Sequence, residues 1–368
     1  MKIGVLTFHR AINYGALLQA YALSKTINDL GFNGEIIDFK EVPKIEFPKE
    51  LIKKYGIIKG TIKTVNRYRL GLYKIPTKER KFYKFYKKHL SMSKKEFFSL
   101  KNIDKENYDA IVFGSDQIWN ENLTDHAFFE YMGDFGTDSC TVKKISYAAS
   151  NGRGEFSEER KDEIKRKLGE FSAISTRENS LAEYINENFS LNAKSVADPT
   201  LLLCADDWQK LESKLPKNLE KGKYILVYTF DEPTTYETAR AISKKKGLPI
   251  VNVRWCGRHK RFNDMIQMPD VGPKEFLSLI HNAAYVVTSS FHGTVFSLIF
   301  RKNLYVCVAG EYNERIINLL KKLDLDKCEL YNNHIAISED KYESAYAELE
   351  EFRRESIEFL KGALENVR

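Results

Sequence analysis

Short apolar segments alternate with helical segments along most of this chain, and each apolar segment ends in a polar loop. Residues 3–7 have the pattern of a buried strand, residues 16–30 space their apolar side chains as a helix does, and residues 34–39 form the next apolar run. A strand, a helix and a strand in this order predict a parallel sheet. A second alternating series runs from residue 224 to residue 323. The sequence therefore predicts an α/β protein with two Rossmann-like domains, a cleft between them and a long C-terminal helix.

The length of 368 residues favours two domains, because a single hydrophobic core seldom grows past roughly 250–300 residues. We place the first α/β domain at residues 1–203, with a basic helical insertion at 49–90. The second domain occupies residues 204–335, and the terminal helix occupies residues 336–368. Hydrophobic residues make up 43% and charged residues 30% of the chain, which is typical of a folded, soluble protein and excludes a disordered one.

The cysteines and the apolar runs predict a cytoplasmic protein. The five cysteines are scattered without a CxxC pair, so we expect reduced thiols rather than disulfides or a zinc site. The histidines do not have the spacing of metal ligands. No apolar run reaches the roughly 18 residues of a membrane span, and the N-terminus lacks the pattern of a signal peptide.

The segment 284–300 gives the strongest local indication of a site. An apolar strand leads into a polar turn, and an apolar helical segment follows. Free N–H groups and a partial positive charge at a helix N-terminus bind anions. His292 is the side chain of the turn that transfers protons near neutral pH. Three hydroxyls and a glycine that admits a ligand to the backbone complete the candidate anion site: Ser289, Ser290, Thr294 and Gly293. In the alternative interpretation a serine caps the helix and His292 is structural.

Polar side chains after other predicted strands belong to the same cleft, because ligands of parallel sheets bind at the carboxyl ends of the strands. Arg10 and Asn13 follow the first strand and either bind a ligand or stabilise a turn. Asp116 follows a strand that ends at residue 113, and it either binds an acceptor, acts as a base or caps a helix. Arg315 lies in the first turn of a predicted helix, where it either joins the site or balances Glu314.

An ordered set of motifs resembles the polysaccharide pyruvyl transferase family over roughly residues 1–325. The motifs are residues 2–9, residues 13–23, Gly114-Ser115-Asp116-Gln117-Ile118-Trp119, Ser175-Thr176-Arg177-Glu178-Asn179-Ser180, Ala197-Asp198-Pro199-Thr200 and Ser290-Phe291-His292-Gly293-Thr294. Each motif alone is weakly specific, whereas their order is specific.

The resemblance implies a GT-B-like fold and a transferase. The implied reaction moves the enolpyruvyl group of phosphoenolpyruvate onto a sugar of a cell-surface polysaccharide or its precursor, as a cyclic pyruvate ketal. The resemblance assigns the general acid to His292 and a donor-binding role to Arg177, for which a surface ion pair with Glu178 is the alternative. It implies phosphoenolpyruvate as a substrate and no cofactor or metal.

One position departs from the family pattern. The resemblance implies a second donor-binding arginine two residues before the histidine, where this chain has Ser290. Arg254 and Arg258 follow a predicted strand whose carboxyl end should face the same cleft, so they are candidates to replace it.

Two other functions stay open at this point. One is a GT-B-like glycosyltransferase that uses a nucleotide sugar, and the other is a non-catalytic glycan-binding homologue. The sequence also leaves open whether the glycan acceptor is lipid-linked, nucleotide-linked or polymeric.

The basic charge of the chain is concentrated in the insertion at residues 49–90. Fourteen lysines and arginines face two glutamates there, although the net charge of the whole chain is only +7. Basic and aromatic side chains together favour an anionic membrane surface, so we interpret the insertion as membrane-facing or acceptor-facing. A pair of solvated helices is the alternative, and no motif for nucleic-acid recognition supports a third.

Overall fold

A computed structural model describes most of the chain. The described residues are 1–40, 57, 75–101, 103–124, 127–136, 141–230, 233–253, 262–308, 314–331 and 333–367. Of the predicted site residues, Arg254 lies outside this set, as does its neighbouring candidate Arg258.

The first domain is built on a parallel sheet with helices on both faces. Its strands are β1 (Lys2–Leu6), β2 (Asn33–Phe39), β3 (Met92–Phe97), β4 (Ala110–Phe113) and β5 (Lys143–Ser146), in the order β3-β2-β1-β4-β5. A two-stranded parallel sheet of β6 (Ile174–Thr176) and β7 (Ala193–Ser195) continues from β5 through isolated bridges. The helices are α1 (Tyr14–Asp29), α2 (Ile75–His89), α3 (Glu121–Thr124), α4 (Phe128–Tyr131), α5 (Lys161–Leu168) and α6 (Asn179–Phe189).

The second domain repeats this plan and adds an antiparallel edge. Its parallel strands are β8 (Ile225–Tyr228), β9 (Ile250–Val253), β10 (Ile266–Met268), β11 (Tyr285–Thr288) and β12 (Asn303–Cys307). The strands β13 (Leu330–Tyr331) and β14 (His334–Ile337) complete the order β10-β9-β8-β11-β12-β14-β13. The helices are α7 (Ala205–Gln209), α8 (Pro233–Lys246), α9 (Pro273–Asn282), α10 (Phe291–Ile299), α11 (Glu314–Lys322) and α12 (Tyr342–Glu365).

The central strands are buried at every residue, which explains their continuous apolar sequences. Residues 110–113 and 225–228 show no exposed position, as expected when helices cover both faces of a parallel sheet. The elements confirm the predicted α/β fold, with two Rossmann-like sheets followed by a long C-terminal helix.

The strand order fixes where a ligand can bind in each domain. The order reverses between β1 and β4 in the first sheet and between β8 and β11 in the second. Crevices at the carboxyl ends of the strands form at such reversals. The loops after β1 and β4 therefore lie at the crevice of the first sheet, and the loop after β11 lies at the crevice of the second.

Tyr14 joins the hydrophobic cores of the two domains. Its ring stacks on Phe276 of α9 with centroids 4.2 Å apart, and its hydroxyl donates to the carbonyl of Val271 at 2.8 Å. Tyr14 is fully buried, and an aromatic pair of this kind adds about 0.5–1.5 kcal/mol to the energy of burial.

The last helix, α12, returns to the first domain. The guanidinium of Arg353 donates to the carbonyl of Leu201 at 2.6 Å, and the hydroxyl of Ser356 accepts from the backbone N–H of Ala197 at 2.8 Å. These contacts hold the segment 197–201, which follows β7, against the end of the chain.

The described part of the basic insertion is α2, which packs into the core. Phe82, Phe85 and Tyr86 are buried, while Tyr83 is exposed. Lys81 forms an ion pair with Glu275 of the second domain at 2.8 Å. Except for residue 57, the remainder of the insertion at 49–74 lies outside the described residues. Within the part of the chain that the structure describes, we find no helix that is both long and apolar enough to cross a membrane.

Candidate functional site

The turn between β11 and α10 uses its hydroxyls to hold its own backbone. Ser290 caps α10, since its hydroxyl accepts from the N–H of Gly293 at 3.4 Å. The hydroxyl of Thr294 donates to the carbonyl of Ser290 at 3.0 Å. Ser289 and Thr229 share a hydrogen bond of 2.7 Å between their hydroxyls. The hydroxyls that were predicted to bind a ligand are thus hydrogen-bonded to other groups of the protein.

Two glycines in the site are explained by close packing. A Cβ atom on Gly293 would lie 2.3 Å from the hydroxyl oxygen of Thr288. Glycine at this position therefore allows α10 to pack closely against the end of β11. A Cβ atom on Gly15 would lie 2.0 Å from Nδ1 of His292. The start of α1 therefore packs directly on the His292 ring, which brings the two domains together at the histidine.

Replacement of Gly15 with alanine is expected to lower the free energy of unfolding by about 1–3 kcal/mol, because the added methyl overlaps the buried imidazole. Urea denaturation measures the change. Gly362→Ala in α12 is the control: a Cβ atom there would have no described neighbour within 4 Å, and alanine should stabilise that helix by up to about 1 kcal/mol. A Gly15→Ala protein as stable as the wild type would contradict the tight contact with His292.

Arg177 is the buried cation at the centre of the site. Its Nη1 lies 3.0 Å from Oδ2 of Asp198, its Nη2 lies 3.5 Å from Oδ1 of Asp116, and its Nε lies 3.9 Å from Oε1 of Glu178. Burial alone would lower the pKa of Arg177, but the carboxylates of Glu178, Asp116 and Asp198 raise it. Arg177 is thus a charged group within the protein and not part of a surface ion pair.

Asp198 lies between Arg177 and His292. The Oδ2 atom that contacts Arg177 is also 3.7 Å from Nε2 of His292. Its other oxygen accepts from the backbone N–H of Thr200 at 3.0 Å and from the hydroxyl of Thr200 at 2.7 Å. Burial would raise the pKa of Asp198, but His292 and Arg177 hold it well below its ordinary value. Asp198 is therefore ionised throughout the neutral pH range.

Arg315 provides a second guanidinium close to the same phenyl ring as Arg177. The Cζ atoms of Arg177 and Arg315 lie 4.9 Å and 5.6 Å from the ring centroid of Phe291. When the amide of Gln117 is oriented with its oxygen toward Arg315, that oxygen accepts from both terminal nitrogens at 3.0 Å. Burial and the charge of Arg177 lower the pKa of Arg315 to about 10. The neighbouring carboxylates therefore do not fully balance the positive charge of Arg315, which makes it an incompletely neutralised cation.

Three buried nitrogen atoms of this cluster have no hydrogen-bond partner among the described residues: Nε of Arg177, Nε of Arg315 and Nε2 of His292. Buried donors are nearly always paired in folded proteins, and leaving one unpaired costs about 1–3 kcal/mol. A ligand with anionic oxygens would satisfy such donors, so the cluster is suited to bind an anion next to a proton donor.

A cavity of about 660 Å³ opens from this cluster. Its lining includes Arg177, Asp198 and Arg315. Lys194 and Lys321 line it as well and add positive charge. The cavity is large enough for a ligand bigger than a three-carbon phosphate.

A family model for polysaccharide pyruvyl transferases matches residues 13–311, which is most of the chain. The chain belongs to the polysaccharide pyruvyl transferase family. The predicted family is thus confirmed, and members of this family are transferases. No curated protein matches the chain in sequence.

Solved structures with a similar fold are distant in sequence. UDP-GlcNAc 2-epimerase from Neisseria meningitidis, bound to UDP-GlcNAc, has 9% identity and a TM-score of 0.49, with coverage of 98% of this chain and 94% of that chain. UDP-GlcNAc 2-epimerase from Methanocaldococcus jannaschii has 15% identity and a TM-score of 0.48, with coverage of 95% and 92%. UGT89C1 from Arabidopsis thaliana, complexed with quercetin, has 12% identity and a TM-score of 0.47, with coverage of 100% and 98%. Similarity at this level carries no information on the substrate.

In this polysaccharide pyruvyl transferase family member, two predicted site residues are engaged elsewhere. Arg10 forms a two-point ion pair with Asp38, with both hydrogen bonds at 2.6 Å, and it lines a separate cavity of about 180 Å³ beside α2. Asn13 caps α1, because its side-chain oxygen accepts from the N–H groups of Gly15 and Ala16. Asp116, by contrast, lies in the cluster through its contact with Arg177.

Several residues of the cluster were not predicted as site residues from the sequence. Asp198, Gln117 and Phe291 belong to motifs of the family pattern, but the sequence alone gives them no role. Their sequence signal is only that each follows a strand or precedes a helix in a motif. They belong to the cluster through contacts between residues that lie 21 to 198 positions apart in the chain. A local sequence pattern does not show such contacts.

Proposed function

We propose that this protein transfers the enolpyruvyl group of phosphoenolpyruvate to two hydroxyls of a sugar, forming a cyclic pyruvate ketal and releasing phosphate. Membership of the polysaccharide pyruvyl transferase family supports the class of reaction. The observation that carries the proposal is the set of three buried nitrogens, on Arg177, Arg315 and His292, that have no hydrogen-bond partner among the described residues. Arg177 and Arg315 line the cavity of about 660 Å³, and His292 lies 3.7 Å from Asp198, which lines it as well. Phosphoenolpyruvate carries carboxylate and phosphate oxygens, which can accept hydrogen bonds from these unpaired nitrogens.

The proposed chemistry begins with a proton transfer from His292 to C3 of phosphoenolpyruvate. This step makes C2 an electrophilic oxocarbenium carbon, and a sugar hydroxyl adds to it with loss of its proton. The bond between C2 and the phosphate oxygen then breaks, and the second hydroxyl adds to C2 with loss of its own proton. One hydroxyl proton restores His292 and the other leaves on phosphate, so that the reaction is balanced. No oxidant or reductant is required.

The two arginines have different parts in this proposal. Arg177 is held in place by three carboxylates before any ligand binds, so an incoming donor does not have to order it. Arg315 is the incompletely neutralised cation, since burial and Arg177 lower its pKa to about 10. A bound anion would restore a favourable environment for its charge.

Arg315 also offers an answer to the departure at Ser290. Ser290 caps α10, and its hydroxyl is already used for that purpose. Arg315 reaches the ring of Phe291 from α11, so we propose that it replaces the arginine that the family pattern has two residues before the histidine.

The acceptor in this proposal is a sugar of a cell-surface polysaccharide or its precursor. The cavity of about 660 Å³ exceeds the needs of the donor alone, and Lys194 and Lys321 are among the residues that line it. An acceptor that carries its own negative charge would fit this cavity, since these lysines would neutralise that charge.

Calorimetric titration of phosphoenolpyruvate into the full-length protein tests the donor without knowledge of the acceptor. We expect saturable binding that weakens with added salt, because the contacts are ionic. UDP-GlcNAc serves as the comparison ligand. Saturable binding of UDP-GlcNAc together with no heat from phosphoenolpyruvate would reject the proposal and favour a glycosyltransferase that uses a nucleotide sugar.

A further inference from the structure

Asp198 is held by contacts from several elements, although it lies in a short segment after β7. It is fully buried, and Thr200 holds its Oδ1 from two sides. The residue before it, Ala197, donates its N–H to Ser356 of α12 and accepts at its carbonyl from the hydroxyl of Tyr147 at 3.0 Å. The position of the carboxylate is therefore fixed by the fold before any ligand arrives.

The other oxygen of Asp198 connects the two groups that the proposed reaction requires. Its Oδ2 is 3.0 Å from Nη1 of Arg177, in the first domain, and 3.7 Å from Nε2 of His292, in the second. Ser115 adds a weak contact of 3.5 Å to the same oxygen. A single atom thus sets how far the donor-binding arginine lies from the proton donor.

The separation of 3.7 Å has a chemical meaning. It is too long for a hydrogen bond, and Nε2 of His292 has no other partner among the described residues. A carboxylate at this distance attracts a proton to Nε2 but does not hold it in a hydrogen bond. On the opposite side, the packing of Gly15 against Nδ1 prevents the ring from moving away.

We propose that Asp198 is a positioning residue for this reaction. Its carboxylate keeps the transferable proton on Nε2 of His292 and sets the spacing between that proton and Arg177. The inference rests on the proposed function for the identity of the donor. The contact between Asp198 and His292, on which the inference is based, exists in the protein without a ligand.

The charged groups near His292 lie on several elements. Asp198, in the first domain, is 3.7 Å from Nε2, and Arg177 contacts the same oxygen of Asp198. Arg315 lies beside the ring of Phe291, which packs against the His292 ring. The start of α1, at Asn13 and Gly15, contributes the partial positive charge of a helix N-terminus. Among these described neighbours Asp198 supplies the negative charge nearest to the ring, so its removal should change the environment of Nε2 more than removal of another described carboxylate.

Asp198→Asn tests the proposal, since asparagine keeps the shape and an oxygen that can accept from Thr200. In the protein without ligand, we follow the His292 ring signal by NMR, identified by its loss in His292→Gln. We expect the chemical shift of this signal at neutral pH to differ from that in the wild type, because the carboxylate nearest to Nε2 has lost its charge. In turnover, we expect kcat to fall about 10–100-fold with a smaller change in KM for phosphoenolpyruvate, since Arg177 and Arg315 remain.

Asp116→Asn is the matched control. It also removes a carboxylate that contacts Arg177, at 3.5 Å, but Asp198 is the carboxylate in contact with His292. Asp116 has a φ of 71°, a conformation that asparagine adopts readily. The His292 signal should keep its wild-type position in this variant. An unchanged His292 signal and an unchanged kcat in Asp198→Asn would overturn the proposal.

Failure of the proposed function would look different. A wild-type protein that does not consume phosphoenolpyruvate would reject the donor, while the NMR comparison would still decide whether Asp198 acts on His292. If Asp198→Asn does not fold, Thr200→Val removes the hydroxyl that holds Oδ1 and keeps the charge. We then expect a several-fold loss of kcat, and an unaltered kcat would overturn the positioning role.

Discussion

Replacement of His292 with glutamine is expected to lower kcat for ketal formation by about 10²–10⁴-fold, because a positioned general acid contributes that much to a proton transfer. Glutamine retains the size and polarity of the side chain but has no proton to transfer. The affinity for phosphoenolpyruvate should change by less than about tenfold, since the guanidinium groups of Arg177 and Arg315 remain. Phosphate release measures turnover, and calorimetry measures binding.

His281→Gln is the control for this substitution. His281 lies in α9, with Nδ1 2.9 Å from Glu212 and its ring stacked on Phe300, so it has no contact with the described cluster. Its replacement should leave kcat within about twofold of the wild type, because it does not touch the reacting groups. If His292→Gln kept half of the wild-type kcat, His292 would not be the general acid.

Removal of Arg177 is expected to destabilise the whole protein. Arg177→Ala leaves Asp198, Glu178 and Asp116 without the cation that lies within 4 Å of each. Breaking a buried ion pair by deleting one partner costs about 3–5 kcal/mol, so we expect a loss of this size in the free energy of unfolding at pH 7. Urea denaturation is the measurement. A lost binding signal in Arg177→Ala would therefore need a folding control before it was attributed to the donor site.

The loss should become smaller as the pH falls. In the wild type the pKa of Asp198 is held below its ordinary value, so its ionisation stabilises the fold above roughly pH 4 and that stabilisation disappears as the pH falls through the lowered pKa. In Arg177→Ala the pKa of this buried carboxyl should rise. Protonation then relieves the buried charge, and the stability of the variant approaches that of the wild type near pH 4.

Arg240→Ala is the matched control for stability. Arg240 pairs with Asp264 at 2.6 Å, but both side chains are substantially exposed. An exposed pair contributes about 0–1 kcal/mol, so this variant should be nearly as stable as the wild type. If the two arginine variants lost equal amounts of stability, burial of the cluster would not be the reason that Arg177 stabilises the fold. Arg177→Lys keeps a charge in the cluster and is the better variant for measuring donor binding.

The sequence predicted the sheets well because a buried strand is marked by a short apolar run of neighbouring residues. Buried strands such as residues 225–228 have continuous apolar sequences, and α1 shows helical spacing ended near Gly31. The short strand β10 and the antiparallel pair β13 and β14 were not predicted. Their two to four residues provide too little periodicity, and their pairing depends on strands that lie elsewhere in the chain.

The site was predictable only in part. His292 and Arg177 were predicted from motifs, and the structure brings both to Asp198, although their roles remain proposals. The hydroxyl of Ser290 illustrates the limit, because a helix cap and an anion ligand need the same residue type at the same place. Arg10 illustrates another limit. Its loop follows a strand as a site loop should, but Asp38, on the next strand, engages its side chain.

The contacts of α12 have a consequence for the order in which the protein is made. Ser356 and Arg353 hold the segment that contains Asp198, although the bonded residues lie 159 and 152 positions apart in the chain. On a ribosome, that segment emerges long before α12 has been synthesised. The first domain cannot make these two contacts when its own residues have been translated, and a product that stops before Tyr342 lacks part of the support for the carboxylate between arginine and histidine. Translation of the last helix thus acts as the step that completes the site.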